Sequence, residues 1–339
     1  MPLRIGINGF GRIGRNFFRA ALAATDFEIV ALNDITAPAM LAHLLRYDSI
    51  LGRLDARVES GDGWIAVNGR RIPISAEPEP SRLDWSAHDV AVVAECSGRF
   101  STGEGAAQHL RGSVKKVVVS APAKGADVTL VLGVNDAAYD PARHRVISNA
   151  SCTTNCLAPV AKVLHDNFRI QSGSMTTVHS YTNDQRLLDL PHKDPRRARA
   201  AAINLIPTST GAAKALHLVI PELEGKLDGL ALRAPTADVS VVDLVVWVER
   251  ATTAEAVNAA FRAAADGPMR GILGYEEEEL VSSDFRGDSR SSIVDAKLTR
   301  VIGDHCVTAI AWYDNEWGYS CRMRDLMARL ARERGLARA

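Results

Sequence analysis

Two side chains near the middle of the chain are suited to nucleophilic catalysis. Cys152 follows Ser151 at the start of a run with helical periodicity, and His179 ends a strand-like run further on. A helix N-terminus stabilises a thiolate, which is the nucleophilic form of cysteine. An imidazole beside the thiol could keep it ionised and later move a proton. We therefore expect Cys152 to be a nucleophile and His179 its acid and base, whereas Cys156, one turn later, is expected to be inert.

A glycine turn near the N-terminus suits a dinucleotide. It follows the strand-like run 3–8 and precedes a helical run, which is the context that gives the pattern its meaning. The first glycine permits a tight turn, the second lets the backbone approach a pyrophosphate, and the third lets helix and strand pack closely. The two N–H groups before the third glycine would point at the anion. The residues expected to bind the cofactor here are Gly9, Gly11, Arg12, Ile13 and Gly14.

An acidic residue at the end of the second strand-like run completes this pattern. Asp34 follows Gly14 by 34 − 14 = 20 residues. A carboxylate at that place accepts hydrogen bonds from ribose hydroxyls and repels a 2′-phosphate. The sequence therefore predicts NAD rather than NADP as the cofactor.

The elements that must position these residues change in type along the chain. In the first part, strand-like runs alternate with helical runs, which indicates an α/β fold with a Rossmann-type, doubly wound parallel sheet. A hairpin signal at Asn68-Gly69 marks an insertion or a sheet edge. The second part has long alternating segments, which predict an α+β domain with a mostly antiparallel sheet. We expect an NAD-binding domain over 1–151, a catalytic domain over 152–315, and a helix over 316–339 that packs back on the first domain.

Composition excludes several classes of function. The chain has 339 residues, with 40 Lys+Arg and 40 Asp+Glu, so its formal charge is zero. A nucleic-acid binder or a membrane-surface protein normally carries a basic excess. Five cysteines are an odd number and contain no CxxC pair, so neither a disulfide framework nor a zinc site is expected. No apolar run reaches the length of a spanning helix, and no leader pattern precedes the first strand, so we expect a cytoplasmic protein.

Several longer motifs resemble phosphorylating glyceraldehyde-3-phosphate dehydrogenase, and the resemblance extends over essentially the whole chain. The cysteine motif is highly specific to that family. The matching segments are 9–14 (GFGRIG), 150–156 (ASCTTNC), 177–199, 207–214 (PTSTGAAK), 232–236 (LRAPT) and 312–319 (WYDNEWGY).

The resemblance implies a mechanism. Cys152 would attack the aldehyde of glyceraldehyde 3-phosphate to give a hemithioacetal, and His179 would take the hydroxyl proton as hydride passes to NAD. Inorganic phosphate would then split the thioester to give 1,3-bisphosphoglycerate. The backbone N–H of Cys152 and His179 would stabilise the oxyanion. The resemblance also implies a homotetramer.

The same resemblance assigns two anion sites and two further cofactor contacts. It places the substrate's phosphate with Thr182, Asp184 and Arg233. It places the attacking phosphate at the start of two helices, where free N–H groups are expected, and Arg197 with the phosphate-binding residues. The attacking-phosphate residues are Ser151, Thr153, Thr210 and Gly211, and Asn315 and Ser120 are expected to line the nicotinamide pocket.

Three alternatives remain open at this stage. One is erythrose-4-phosphate dehydrogenase, which shares the thiol chemistry, although Thr182 and the 208–211 segment favour a phosphate-using enzyme. A second is an NADP-using biosynthetic form, which Asp34 opposes. A third is a cysteine hydrolase or a non-catalytic nucleotide-binding protein. The acidic Glu77-Pro78-Glu79 stretch replaces a basic residue common in the family, so the adenosine contact is expected to be weaker unless Arg82 substitutes for it.

Overall fold

The computed structural model describes residues 1–333, 335 and 336, and these form two compact units. Unit 1 comprises Met1–Leu130, Ala137–Ala150 and the described residues from Ser320 onward, and unit 2 comprises Val131–Asp136 and Ser151–Tyr319. Among the described residues, none of the helices combines the length and apolar character needed to cross a bilayer. The expected domain boundaries at 151/152 and 315/316 stay a prediction.

Unit 1 is built on one large sheet with short helices. Its helices are α1 (Arg12–Ala21), α2 (Pro38–Arg46) and α3 (Gly103–Ala107). Its strands are β1 (Leu3–Asn8), β2 (Phe27–Asn33), β3 (Tyr47–Asp48), β4 (Gly52–Arg53), β5 (Val58–Gly61), β6 (Trp64–Val67), β7 (Arg70–Ser75), β8 (Val92–Glu95), β9 (Lys116–Val119), β10 (Val128–Thr129) and β11 (Val146–Ser148).

The order of strands in this sheet confirms the predicted α/β fold. Within the described residues the order is β10-β11-β9-β8-β1-β2-β7-β6-β5. All neighbours from β10 to β7 pair in parallel. Because parallel strands are buried on both faces, the central strands are continuously apolar; Val92, Val93 and Ala94 of β8 are fully buried.

The edge of this sheet is the predicted hairpin. β6 and β7 pair antiparallel, and the two residues between them, Asn68 and Gly69, have φ values of 51° and 82°. A two-residue turn whose twist matches that of the flanking strands requires positive φ at both central residues. β5 then pairs with β6 and ends the sheet.

Unit 2 combines a mixed sheet with two long helices. These helices are α4 (Cys152–Phe168) and α5 (Ala254–Asp266), and α6 (Trp317–Ala331) begins in unit 2 and continues in unit 1. The strands are β12 (Ile170–Ser180), β13 (Ile206–Ser209), β14 (Leu227–Ala234), β15 (Ser240–Val248), β16 (Leu273–Glu276), β17 (Ser292–Asp295), β18 (Arg300–Ile302) and β19 (Cys306–Tyr313).

The sheet of unit 2 is mostly antiparallel, as predicted. Its described strands have the order β13-β14-β12-β15-β19-β17-β16, with β18 paired to β19. β12 pairs in parallel with β14 and β16 pairs in parallel with β17, whereas the other pairs are antiparallel. One face is covered by α4, whose residues Leu157, Val160 and Leu164 are fully buried. This face carries the candidate catalytic residues.

Two sequence predictions need correction. The helix that Thr210 and Gly211 were expected to open is a short 3-10 helix, Lys214–Leu218, so these residues do not open an α-helix. The helix expected over 316–339 is α6, which ends at Ala331; residues 334 and 337–339 lie outside the described residues.

Candidate active site

The start of α4 positions Cys152. Ser151 has an extended backbone and its Oγ accepts a hydrogen bond from the Thr154 N–H at 3.0 Å, which makes it a helix N-cap worth about 1 kcal/mol. Ala150 just before it has a φ of 55°, a left-handed conformation that costs an alanine on the order of 1 kcal/mol. The chain therefore bends sharply into the helix, and Cys152 is its first residue.

His179 is placed by the alternation of β12. Met175, Thr177 and His179 are buried on one face of the strand, whereas the intervening Val178 is exposed. Residues two apart on a strand share a face, so the pattern fixes the direction of the imidazole. Nε2 of His179 lies 3.5 Å from Sγ of Cys152. The structure thus brings together the two residues that the sequence predicted to act as a pair.

Burial opposes ionisation of both groups of this pair. Burial raises the pKa of the Cys152 thiol, and the Arg233 charge and the Thr153 contacts oppose that rise only partly. Burial and the charge of Arg233 lower the pKa of His179 to about 3. Burial thus opposes the ionised thiol that the helix N-terminus and the imidazole are expected to favour, and the ionised pair stays a prediction.

Arg233 contacts the far side of the imidazole. In the parallel pairing of β12 with β14, His179 is directly opposite Arg233. Nη1 of Arg233 lies 2.7 Å from Nδ1 of His179 and donates to the carbonyl oxygen of Ser180 at 3.1 Å. Sequence reasoning assigned Arg233 to a phosphate and did not anticipate this contact.

The proposed substrate-phosphate residues divide into two groups. Asp184 forms an ion pair with Arg197, and its Oδ1 lies 3.5 Å from Nε2 of His192. Burial opposes ionisation of Asp184, but the hydrogen bond and charge of Arg197 hold its pKa below the ordinary value. The charges of Arg197 and Asp184 both act on the pKa of Arg233, so Arg233 is an electrostatic neighbour of the Asp184–Arg197 ion pair. The backbone N–H of Thr182 donates to Gln185 Oε1 at 3.3 Å.

The proposed residues for the attacking phosphate are mostly engaged within the protein. Thr153 Oγ1 lies 2.9 Å from the hydroxyl of Tyr313, and Ser151 Oγ caps α4. Thr210 Oγ1 accepts from the Ala212 N–H at 3.2 Å. At Gly211 an added Cβ would meet no heavy atom within 4 Å, so this backbone borders open space. The Gly211 backbone is therefore accessible, whereas the Ser151 and Thr153 hydroxyls already contact other protein groups.

Asn315 is oriented by two serines. Its Oδ1 accepts from Ser180 Oγ at 3.0 Å and from Ser240 Oγ at 2.9 Å. Since a carbonyl oxygen has two lone pairs, these bonds use the acceptor side of the amide. The NH₂ group is left as the side of Asn315 that can bind a ligand carbonyl.

Unit 1 has its own cleft beside the glycine turn. Its volume is about 190 Å³, and Ser97, Glu77, Arg99 and Phe100 contribute to its walls together with the glycine turn and Asp34. Asp34 Oδ2 accepts from the Phe10 N–H at 2.7 Å and Oδ1 accepts from the Thr36 N–H at 2.9 Å. Arg82, proposed as a substitute basic contact, is exposed on a 3-10 helix, whereas Arg99 lines the cleft.

The three glycines of the turn differ in the space around them. Gly9 has a φ of 87°, and a Cβ there would lie 2.4 Å from Cα of Ser97. A Cβ on Gly14 would lie 2.2 Å from the carbonyl oxygen of Gly9. At Gly11 a Cβ would meet nothing within 4 Å, and this residue is the N-cap of α1, so Arg12 and Ile13 present helix N-terminal N–H groups. Ser120 follows β9, and its N–H donates to the Glu95 carbonyl at 3.0 Å.

Two further features were missed by sequence reasoning. Tyr313 is buried, its hydroxyl lies 2.9 Å from Oγ1 of Thr177, and its ring meets His179 edge-on at a centroid distance of 5.9 Å. In unit 1, Arg15 is buried and its Nη1 donates to the Phe10 carbonyl at 2.8 Å, which braces the glycine turn. Tyr313 lay within a recognised motif, but a tyrosine among apolar strand residues gave no signal of its role.

Comparison with known proteins gives consistent matches along the chain. Residues 3–103 match the family model "Glyceraldehyde 3-phosphate dehydrogenase, NAD binding domain", and residues 151–315 match "Glyceraldehyde 3-phosphate dehydrogenase, C-terminal domain". A glyceraldehyde-3-phosphate dehydrogenase of Geobacillus stearothermophilus is 59% identical over 331 residues, covering 98% of this chain and 99% of the relative. Glyceraldehyde-3-phosphate dehydrogenase 1 of Bacillus subtilis (strain 168) is 58% identical, with 98% and 99% covered. A Streptomyces coelicolor relative of the same name is 56% identical, with 96% and 98% covered.

Proposed function

Because the chain belongs to the glyceraldehyde-3-phosphate dehydrogenase family, we propose that it oxidises D-glyceraldehyde 3-phosphate with NAD and inorganic phosphate to 1,3-bisphosphoglycerate. The observation that carries the proposal is the 3.5 Å contact between Sγ of Cys152 and Nε2 of His179 at the N-terminus of α4. A thiol beside an imidazole is the arrangement that covalent aldehyde chemistry needs.

The residues of unit 1 fit NAD. The cleft beside Gly9 and Gly11 leaves room for a pyrophosphate at the N-terminus of α1, and Asp34 lines the same cleft. We propose that Asp34 binds ribose and that Ser120 and the NH₂ group of Asn315 bind the nicotinamide end. NAD, when bound, supplies the hydride acceptor. The carboxylate of Asp34 favours NAD over NADP because it would repel a 2′-phosphate.

Cys152 and His179 carry the covalent steps in this proposal. The Cys152 proton passes to Nε2 of His179, and the thiolate forms a C–S bond to the aldehyde carbon. The backbone N–H of Cys152 and the imidazole stabilise the alkoxide, which takes the proton and becomes the hemithioacetal hydroxyl. Nε2 then accepts that proton as hydride leaves, and a thioester remains. Attack by phosphate on the thioester carbon breaks the C–S bond and releases the Cys152 thiolate.

Two anions must be bound for this sequence. We propose that Arg233, Asp184 and Thr182 position the substrate's phosphate, with Arg197 held beside them by its ion pair with Asp184. The attacking phosphate would use backbone donors of the segment Ser151–Thr153 and of Thr210-Gly211. Arginine suits a phosphate monoester because its planar guanidinium can donate two parallel hydrogen bonds.

We also propose a cytoplasmic homotetramer. The long loop after β12 exposes Leu187, Leu188 and Leu190, and Ile203 and Leu205 follow on the same stretch. An exposed apolar cluster of this kind is typical of a contact between subunits. Light scattering of the purified protein tests the assembly: a mass near four times 36.5 kDa is expected, and a monomer would contradict it.

The proposed reaction is tested by following NADH with glyceraldehyde 3-phosphate, with and without inorganic phosphate. We expect sustained turnover only with phosphate present. Cys152→Ser should abolish aldehyde oxidation, whereas the matched variant Cys306→Ser should retain it. A rate that is independent of phosphate, together with a preference for erythrose 4-phosphate, would contradict the proposal.

A further inference from the structure

A buried carboxyl group lies beside the dinucleotide cleft of unit 1, and no step of the proposed reaction uses it. Glu95 ends β8, and only 2% of its surface is exposed. Its Oε1 accepts from the backbone N–H of Ser97 at 2.8 Å and from Oγ of Ser97 at 2.5 Å. Its Oε2 accepts from Nδ2 of Asn8 at 2.6 Å and lies 3.0 Å from Nε2 of His109. Burial opposes ionisation of Glu95, but the hydrogen bonds of His109, Ser97 and Asn8 hold its pKa below the ordinary value.

The imidazole that faces Glu95 is also a donor. His109 is fully buried, and Nε1 of Trp85 donates to its Nδ1 at 3.1 Å. An indole nitrogen can only donate, so Nδ1 accepts and the hydrogen of the neutral imidazole is on Nε2, which faces the carboxylate. Each oxygen of Glu95 therefore meets two donors. An ionised carboxylate suits this place because it accepts at both ends, whereas an amide of the same shape accepts at only one.

One line of hydrogen bonds leads from Glu95 to the segment around Glu77. Because Asn8 gives its NH₂ group to Glu95, its Oδ1 accepts from Nδ2 of Asn33 at 2.7 Å. Nδ2 of Asn33 also donates to the Glu77 carbonyl oxygen at 2.9 Å, and Oδ1 of Asn33 accepts from the Glu77 N–H at 2.9 Å. Turning the Asn8 amide over would place two NH₂ groups face to face, and turning Asn33 over as well would break both bonds to Glu77. The carboxylate thus sets the orientation of both amides.

A second line of hydrogen bonds leads from Glu95 to the segment around Ser97. Oγ of Ser97 donates to Glu95 and accepts from the Arg99 N–H at 3.1 Å. Ser97 also lies close to the glycine turn, because a Cβ on Gly9 would approach Cα of Ser97 to 2.4 Å. Glu77, Ser97 and Arg99 all line the cleft. The two oxygens of one carboxylate therefore hold two segments that line the cleft.

We infer that Glu95 is a positioning residue for the dinucleotide cleft, which holds the Glu77 and Ser97 segments at the separation that the adenosine half of the cofactor requires. This inference rests on the proposed function for the identity of the cofactor. Fixing both segments before the ligand arrives lowers the entropy that is lost on binding. Since Glu95 acts only through these segments, its loss should weaken cofactor binding and leave the chemical step unchanged.

Glu95→Gln is the test variant because it keeps the shape of the side chain and turns one acceptor end into a donor. The new NH₂ group faces either the Ser97 N–H or the donors of Asn8 and His109, so one segment loses its anchor. Calorimetric titration of the full-length protein should show a Kd for NAD raised by about 10- to 100-fold. The Kd for ADP-ribose, which has the adenosine half but no nicotinamide, should rise by the same factor. The kcat at saturating NAD should match that of the wild type.

Trp85→Phe is the matched control for the loss of a buried hydrogen bond. It removes the donor to Nδ1 of His109 but leaves Ser97 and Asn8 on Glu95, so the Tm should fall while both Kd values stay unchanged. If Glu95→Gln unfolds before binding can be measured, Ser97→Ala is the second variant. It loses the Oγ bond to Oε1 and keeps the carboxylate, so we expect the Kd for ADP-ribose to rise by about threefold.

The inference is overturned if folded Glu95→Gln, or Ser97→Ala in its place, binds ADP-ribose as the wild type does. A rise of the Kd in Trp85→Phe as large as in Glu95→Gln would also overturn it, because affinity would then follow stability alone. A loss of kcat at saturating NAD with an unchanged Kd, or a wild type that does not bind ADP-ribose, would contradict it as well. These titrations need no turnover, so they separate failure of this inference from failure of the proposed oxidation, which the NADH assay reports.

Discussion

The hydroxyl of Tyr313 lies 2.9 Å from Oγ1 of Thr153, the residue next to the candidate nucleophile. The same hydroxyl lies 2.9 Å from Oγ1 of Thr177, two residues before His179 on β12. One buried phenol thus joins the start of α4 to the strand that carries the imidazole. Because the two candidate catalytic groups belong to different elements, this link holds their separation.

Removing that link should affect catalysis more than binding. Tyr313→Phe keeps the ring against His179 but loses both hydrogen bonds, so we expect a loss of about 1–3 kcal/mol in the free energy of unfolding. A small misplacement of Cys152 relative to His179 should lower kcat by about 10- to 100-fold. The KM for NAD should stay unchanged. Tyr275→Phe, on β16, is the control, and a kcat for Tyr313→Phe equal to that control would refute the role.

The glycine turn offers a matched pair of variants that separates stability from cofactor binding. A Cβ at residue 14 would lie 2.2 Å from the Gly9 carbonyl oxygen, so Gly14→Ala should cost about 1–3 kcal/mol of stability. A Cβ at residue 11 meets nothing within 4 Å, so Gly11→Ala should change stability by no more than about 0.5 kcal/mol. Its methyl group would instead face the pyrophosphate and raise the Kd for NAD. Thermal unfolding without NAD and calorimetric titration measure the two effects; normal NAD affinity in Gly11→Ala would place the pyrophosphate elsewhere.

Cofactor selectivity should depend on the charge of Asp34. Asp34→Asn keeps an oxygen that can accept from the Phe10 N–H but removes the negative charge that opposes a 2′-phosphate. We expect the ratio of kcat/KM for NAD to that for NADP to fall by about tenfold, equivalent to ~1.4 kcal/mol. Glu79→Gln, at an exposed position, is the control for the loss of one negative charge elsewhere on the protein. An unchanged ratio in Asp34→Asn would show that discrimination has another source.

A buried pair of carboxyl groups in unit 2 should make the protein less stable as pH rises. Burial, together with the charge of Asp314, raises the pKa of Asp238 to about 8. An unfolded Asp titrates near pH 3.9, so the folded protein holds a proton there that the unfolded chain releases above about pH 4. Stability is therefore lost as pH rises from about 4 through 8.

Asp238→Asn tests this linkage because an amide needs no proton to stay neutral. Between pH 7 and pH 9 the Tm of the wild type should fall by a few °C more than that of the variant. Asp228→Asn, at an exposed carboxylate on β14, should behave as the wild type. Parallel pH profiles for wild type and Asp238→Asn would contradict the assignment.

Local signals predicted much of the fold and the core of the site. The start of α4 was predictable because Ser151 is a helix cap before an apolar periodic run. The direction of His179 followed from alternation along β12, and the hairpin from Asn68-Gly69. The helix expected to begin at Thr210-Gly211 was wrong, because the apolar residues there fill a short 3-10 helix beside β14 instead of a regular helical face.

The contacts that shift the pKa values of the site depend on strand pairing and burial, which no local sequence pattern predicts. Arg233 meets His179 because β12 and β14 pair in parallel with these two residues in register, and no local pattern predicts that partner strand or that register. The raised pKa of Cys152 likewise comes from burial under the finished fold. The sequence predicts the helix N-terminus, which lowers the pKa of a thiol, but it does not show how far burial raises that pKa.

The most direct test of the central role of Cys152 is to trap its acyl group. The protein is mixed with NAD and glyceraldehyde 3-phosphate in the absence of inorganic phosphate, quenched in acid, digested and analysed by mass spectrometry. We expect one NADH per subunit in a rapid burst and a phosphoglyceryl thioester on the peptide that contains Cys152, which added phosphate then removes. A burst without acylation, or an acyl group on any other residue, would contradict the mechanism.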